Sequence, residues 1–419
     1  MQALKDFIKR KLSRVHEDLD RAEKQRARTL RRRQRVADWE RLTARPLVER
    51  NGDAGRRCVF CESMRGWLSA QWQRLVFAAQ VLRRGIKGFL DLVCTPSWFD
   101  ESVEDGAGSN RVFRRHRYPG SRNRFFQLRL PAGYRDGTKA PLLMVLHGCR
   151  QTNADIRRTA NFDEIADREG FAVVYPYVTS YTGMRIRNCW GWWLESEIRP
   201  GAGEVEDLWH IIEQVKEEIS VDRRRIHVAG LSSGGGMAVA MMVTHSDKIA
   251  SGAAVAGVAY SETPRAVSYG APTGVTFKTT EQVAEAMKTV LGDSGRPSPI
   301  FIVHSCTDPV VDIRAAENIR DSWARIYDID TSRAALERSG ITNDVHWLHA
   351  RYKEARKRSS IETFFMKNLG HGWYGGSPGT YSFPEAPNTS ELMWRFFKRH
   401  PLHSESRSSI RGASLRRAS

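Results

Sequence analysis

The chain has 419 residues, 41% of them hydrophobic and 10% aromatic, which is enough to bury a real core and excludes a small stapled module or an intrinsically disordered protein. Lys and Arg number 66 against 48 Asp and Glu, a formal charge of +18, but residues 1–57 hold 18 basic and 9 acidic side chains and residues 398–419 hold six and one. The excess therefore sits mainly at the two ends, which argues against a body built around a nucleic-acid surface and makes nucleic acid a poor candidate for the primary partner.

Leu4, Ile8, Leu12, Val15 and Leu19 recur at helical spacing among Lys and Arg, so the N-terminus is predicted to form a basic amphipathic helix. Lys5, Lys9, Arg10 and Lys11 interrupt any apolar run there, and no secretory leader is expected. The strongly apolar run Leu75–Leu82 lies between Arg74 and Arg83, far short of the roughly 20 apolar residues a membrane span needs. A second amphipathic stretch runs from Met64 through Trp67, Trp72 and Leu75 to Leu90. Residues 1–100 thus read as a basic helical extension, and the polar, Gly-containing residues 101–120 as a linker. The six cysteines show no disulfide framework, so the expectation is a reduced, cytoplasmic chain. Cys58 and Cys61 form a CxxC with only Cys94 nearby, too few ligands for a structural zinc site, and no metal is expected.

From about Arg124 short apolar runs alternate with helical stretches, the pattern of an α/β body with a mostly parallel central sheet. Predicted strands are Phe125–Leu130, Leu142–Leu146, Ala172–Tyr175, Ile226–Ala229, Ala253–Val258, Ile300–His304 and Thr363–Met366. Helices are predicted over Val205–Ile219, Gly236–Thr244 and Ser390–Phe397. This domain spans 121–400, and the basic Ser/Arg-rich tail 401–419 lacks the apolar content to fold.

The informative segment is Gly230-Leu231-Ser232-Ser233-Gly234, at the end of an apolar strand and the start of a helix. A tight turn there exposes the Ser232 oxygen, and the flanking glycines keep side chains out of the way. The Ser233 N–H, at the helix start, then faces a developing oxyanion. No Walker lysine follows, which disfavours a phosphate loop.

A serine nucleophile needs a base and an orienting acid downstream. Asp308, on the loop after Ile300–His304, is the first choice for the acid. Asp312 is its competitor, with a helix N-cap ahead of Ile313-Arg314-Ala315 as its ordinary reading. His371, between Gly370 and Gly372 on the loop after Thr363–Met366, is the candidate base. The strand Leu142–Leu146 runs into His147-Gly148-Cys149, which makes the Cys149 main-chain N–H the second candidate oxyanion donor and His147 a structural residue. Trp190, Trp192 and Trp193, with Trp373, are candidates for an apolar substrate wall, although core packing explains aromatics equally well.

The segments LHGCRQTNADI, GLSSGGGMA, TDPVV and GHGWYGG, with DREGFAVVYP and NCWGWW between them, resemble the esterase family of poly(3-hydroxybutyrate) depolymerases, which also contains feruloyl and acetylxylan esterases. The resemblance spans about Arg124–Phe397 and is greatest to the intracellular members. It implies an α/β-hydrolase fold, no cofactor, a Ser232, Asp308 and His371 triad, and Cys149 and Ser233 as oxyanion donors. The implied activity is that of a serine esterase on poly(3-hydroxybutyrate) or its oligomers. A carboxylesterase for plant-type or small esters is the alternative, as is a granule-binding protein with a decayed hydrolase body. His304-Ser305-Cys306-Thr307-Asp308 departs from the His-Gly-x-x-Asp of many members. Cys149 and Cys189 are paired in some secreted relatives; in a reducing cytosol free thiols, or at most a labile bond, are expected here. Residues 1–57 suit a granule surface carrying lipid or acidic protein.

Overall fold

The computed structural model describes residues 108–178, 188–268, 274–292, 295–354 and 359–402, all within the unit Glu104–Ser419. The helical extension expected over 1–100, the Cys58, Cys61 and Cys94 set and the tail from 403 lie outside the described residues.

In chain order the elements are β1 (Gly108–Phe113), β2 (Arg124–Arg129), β3 (Ala140–Leu146), α1 (Asn153–Ala160), α2 (Phe162–Glu169), β4 (Ala172–Tyr177), α3 (Glu195–Ile198), α4 (Gly203–Glu218), β5 (Val221–Leu231), α5 (Ser233–Thr244) and β6 (Ser251–Val255). They continue with α6 (Thr280–Leu291), β7 (Ile300–Ser305), α7 (Arg314–Tyr327), β8 (Leu336–Thr342), β9 (Val345–Lys353), β10 (Ser359–Met366) and α8 (Thr389–Arg399).

Among the described residues one sheet has the order β1-β2-β4-β3-β5-β6-β7-β10-β9-β8. The six strands from β4 to β10 in that order run parallel, and antiparallel pairs extend both edges. Parallel strands covered on both faces read as continuous apolar runs. In β3 every residue is buried: Leu142, Met144 and Leu146 join one core cluster while Leu143 and Val145 join the other. The period of two thus feeds two cores, one on each face of the sheet. This is an α/β-hydrolase fold, as expected, and in such sheets ligands gather beyond the carboxyl ends of the strands.

Two expectations change here. The predicted linker 101–120 contains β1, whose residues pair one for one with β2 from Gly108 opposite Arg129 to Phe113 opposite Arg124. Its polar residues lie on an open sheet edge, so composition alone reads as loop, while Phe113 is buried. The hairpin of β8 and β9, turning at Asn343 and Asp344 with φ of 47° and 65°, adds two strands not anticipated from the sequence. A two-residue turn with both φ positive is the favoured hairpin geometry.

Candidate active site

The parallel strands β5, β7 and β10 deliver the candidate side chains to one end of the sheet. Ser232 follows β5 at φ 57° and ψ −115°, and α5 starts at the next residue. A Cβ on Gly230 would lie 2.2 Å from Gly234 O, and one on Gly234 would lie 2.4 Å from Leu146 O. Both positions of the G-x-S-x-G segment are therefore glycine because the backbone of the turn closes on itself and on the end of β3. The Ser232 N–H donates to Val255 O at 2.8 Å, pinning the turn to β6. Ser232 is half-buried between buried neighbours. Ser233 differs: its Oγ is buried with no hydrogen-bond partner among the described residues, so of the two adjacent serines only Ser232 presents its hydroxyl.

Asp308 sits on the loop after β7. Its Oδ1 accepts the N–H groups of Val310 at 2.8 Å and Val311 at 3.0 Å, and its Oδ2 lies 2.7 Å from His371 Nδ1. Burial alone would raise its pKa; His371, His304 and the Val311 N–H more than offset it and hold the carboxyl below its ordinary value. Oδ2 can therefore receive an Nδ1–H, which leaves Nε2 of His371 with its lone pair. The two loops are stitched together, because Ser305 Oγ and Thr307 Oγ1 both donate to Leu369 O, at 2.7 and 2.9 Å. Cys306 N also donates to Met366 O at 2.7 Å.

Asp312 does not join this pair. It accepts the Arg314 N–H at 3.0 Å and the Arg314 Nε at 2.9 Å, but the N-cap of α7 is Ile313, so Asp312 lies one residue before the cap position expected of it. His304 is buried, and burial lowers its pKa. Its Nε2 donates to Val311 O at 2.8 Å, which supports the acid loop.

The early loop closes the other side. A Cβ on Gly148 would lie 3.4 Å from Leu231 O, so this backbone abuts the turn that bears Ser232. Gly148 N donates to Gln151 Oε1 at 2.9 Å, and Gln151 Nε2 donates to Thr380 O at 2.9 Å. Thr380 precedes Tyr381, whose ring centroid is 6.3 Å from that of His371. His147 is structural as expected: Nε2 accepts the Val178 N–H at 3.2 Å, Nδ1–H donates to Gly148 O at 2.8 Å, and burial pushes its pKa down to about 4.

Cys149 and Cys189 are joined as a disulfide, which corrects the expectation of free thiols. The bond ties the early loop to the Trp-rich segment, an arrangement that residue spacing does not reveal.

The tryptophans divide. Trp190 is fully buried and donates from Nε1 to His147 O at 3.0 Å; Trp373 is fully buried and donates to Ser390 Oγ at 3.0 Å. Neither offers a surface to a ligand, so both are corrected from substrate wall to scaffold, because each indole is enclosed and its N–H already used. Trp192 and half-buried Trp193 instead belong to a separate apolar cluster with Val258, Val311, Phe277 and Val310. Trp192 lies against α5, where a Cβ on Gly236 would come within 3.0 Å of its ring. Phe277 was not anticipated, since it stands in a polar stretch with no periodic signal.

The family model described as Esterase PHB depolymerase matches residues 125–345. The chain belongs to this esterase family. It is similar to poly(3-hydroxyalkanoate) depolymerase C of Paucimonas lemoignei, 27% identical over 235 residues that cover 56% of this chain and 55% of that protein. It is also similar to feruloyl esterase B of Neurospora crassa, 28% identical over 206 residues covering 47% of this chain and 68% of the relative. The chain thus spans about half the length of the depolymerase it matches. An acetyl xylan esterase structure from Aspergillus awamori superimposes with a TM-score of 0.53 at 16% identity, covering 69% of this chain and 100% of that one, which supports the fold. The region that the family model matches contains Cys149, Ser232, Asp308 and the Trp-rich segment.

Proposed function

We propose that the chain is a serine-type hydrolase that cleaves poly(3-hydroxybutyrate) or its oligomers through an acyl-enzyme intermediate. The observation that carries this reading is the 2.7 Å contact between His371 Nδ1 and Asp308 Oδ2, at the same end of the parallel sheet as the strained turn bearing Ser232. Ser232 Oγ attacks the ester carbonyl carbon while His371 Nε2 takes its proton. Asp308 keeps Nδ1 protonated and stabilises the imidazolium that forms. The carbonyl oxygen, now negative, is received by the main-chain N–H groups of Cys149 and Ser233, neither of which has a hydrogen-bond acceptor among the described residues. The C–O bond then breaks, the alcohol leaves with the proton from His371, and water repeats the sequence on the acyl-serine.

Two relatives named as depolymerases support the polyester substrate, among them poly(3-hydroxybutyrate) depolymerase of Ralstonia pickettii at 31% identity over 149 residues. The apolar cluster of Trp192, Trp193, Phe277 and Val310 suits short aliphatic hydroxyacyl units. A second reading, a feruloyl- or acetylxylan-type esterase, is favoured by the likeness to feruloyl esterase B. The complete Ser, Asp and His set argues against a decayed body. Basic, amphipathic residues 1–57 support association with a granule surface. Turnover of native granules, soluble 3-hydroxybutyrate oligomers, p-nitrophenyl esters and methyl ferulate, measured side by side, tests the reading. Granules and oligomers are expected to be preferred, and preference for methyl ferulate would overturn the polyester assignment.

A further inference from the structure

Below the Trp-rich segment lies a group of buried charges that the proposed reaction does not use. Glu204, in the first turn of α4, is fully buried, as are Asp207 and Arg124. Arg124 Nε donates to Asp207 Oδ2 at 2.9 Å and its NH2 is 3.5 Å from Glu204 Oε1. Asp207 is further satisfied by Tyr118 Oη at 2.7 Å, Ser121 Oγ at 2.8 Å and the Arg122 N–H at 3.1 Å. A buried carboxylate costs free energy unless it is paired and hydrogen-bonded. Asp207 repays that cost locally by tying the 118–124 segment to α4. Glu204 is aimed elsewhere: its Oε2 accepts the Gly191 N–H at 2.6 Å.

Gly191 adjoins Trp190, over whose ring the Arg124 guanidinium lies at 6.0 Å. The Trp190 indole N–H holds His147 O at 3.0 Å, two residues before Cys149. The same segment is bonded to Cys149 through Cys189. A carboxylate on α4 therefore fixes the peptide next to Trp190, Trp190 fixes the His147 carbonyl, and that carbonyl sets the plane from which the backbone runs to the Cys149 N–H.

We infer that Glu204 is a positioning residue for the oxyanion-binding N–H of Cys149, acting through Gly191 and the Trp190 indole. The inference rests on the reading of Cys149 as a donor. Only interactions that strengthen in the transition state raise kcat, so disturbing this relay acts on kcat rather than on KM. Glu204→Gln keeps the shape but turns an amide N–H₂ toward either Arg124 or the Gly191 N–H. Trp190→Phe keeps an aromatic ring but removes the indole N–H together with the ring atoms beside it, so the melting temperature is read alongside the kinetics.

The test measures kcat and KM on a soluble ester, the Ki of a trifluoromethyl ketone whose hemiketal oxygen occupies the oxyanion site, and the melting temperature. For both variants kcat is expected to fall about tenfold with KM within about twofold of wild type, and the Ki to rise by the same factor as kcat falls. The double variant should be no worse than about twofold below the poorer single one, since both act on one relay. A lowered melting temperature with kcat and Ki unchanged in Glu204→Gln, or a normal kcat in Trp190→Phe beside a reduced one in Glu204→Gln, overturns the inference. Ser232→Ala serves as the control. Full activity in that variant would overturn the reading of the site and this inference with it, whereas normal kinetics in Glu204→Gln beside an inactive Ser232→Ala overturns this inference alone.

Discussion

Nδ1 of His371 lies 2.7 Å from Oδ2 of Asp308 across 63 residues of sequence. The second carboxylate oxygen is occupied by the Val310 and Val311 N–H groups, so the acid is held from two sides and cannot rotate away from the imidazole. Asp312, four residues on, is engaged with Arg314. Under the proposed mechanism Asp308→Asn presents an amide to His371 Nδ1 and favours the wrong tautomer. It should lower kcat by roughly a thousandfold or more with little change in KM, while Asp312→Asn should stay within a few-fold of wild type. Steady-state kinetics on p-nitrophenyl butyrate decide; the larger loss in Asp312→Asn would move the acid to that residue.

Buried histidines make stability depend on acid. His147 has its pKa pushed down to about 4 by burial and His227 to about 3 by burial and the nearby His400. In the unfolded chain both groups bind protons at the ordinary value near 6.5, so stability falls as pH drops from about 6.5 toward 4, by roughly 3 kcal/mol for His147 alone. Urea unfolding at a series of pH values should show this loss, and His147→Gln should flatten it by close to one proton. An unchanged slope would mean that His147 is charged or solvated in the folded protein.

The Cys149 to Cys189 bond closes a loop with a sequence separation of 40. In the chain-entropy model such a closure stabilises by about 4 kcal/mol, and measured values often fall short. Cys149→Ala, or dithiothreitol, should therefore cost about 2 to 4 kcal/mol in urea. The specific activity of folded molecules should change only a few-fold, because the donor is a main-chain N–H also held through His147 and Gln151. Stability indifferent to reductant would show that the thiols are free in the isolated protein, as a reducing compartment requires.

Every candidate site residue lies between Cys149 and Trp373, so deleting residues 1–57 should leave soluble-ester turnover nearly unchanged. The proposed granule association should weaken, and Ile8→Asp with Leu12→Asp should weaken it even at high salt if the apolar face carries it. Loss of soluble-ester activity in the truncated protein would make residues 1–57 part of the folded body.

The buried strands were legible because their period of two feeds apolar side chains to both cores, as Leu142 to Leu146 do. Edges were not: β5 starts at Val221, but Asp222, Arg223 and Arg224 are more exposed and read as a loop. Helices α1 and α6 went unread although Thr152 with Asp155 and Thr279 with Gln282 form capping boxes, a local signal that sequence spacing does contain. The turn at Ser232 and the pairing of Asp308 with His371 were legible because the proposed chemistry demands fixed residue types in a fixed order. The tryptophans were not, since residue type cannot say whether an indole faces a ligand or, like Trp190, a backbone carbonyl.

Under the proposed mechanism Ser232 carries the acyl group. Incubation with a fluorophosphonate followed by peptide mass spectrometry tests it most directly in the wild type and in Ser232→Ala and Ser233→Ala. A single adduct on Ser232 is expected in the wild type and in Ser233→Ala. None is expected in Ser232→Ala, with ester turnover down by several orders of magnitude. An adduct on Ser233 or another residue, or turnover surviving in Ser232→Ala, would contradict it.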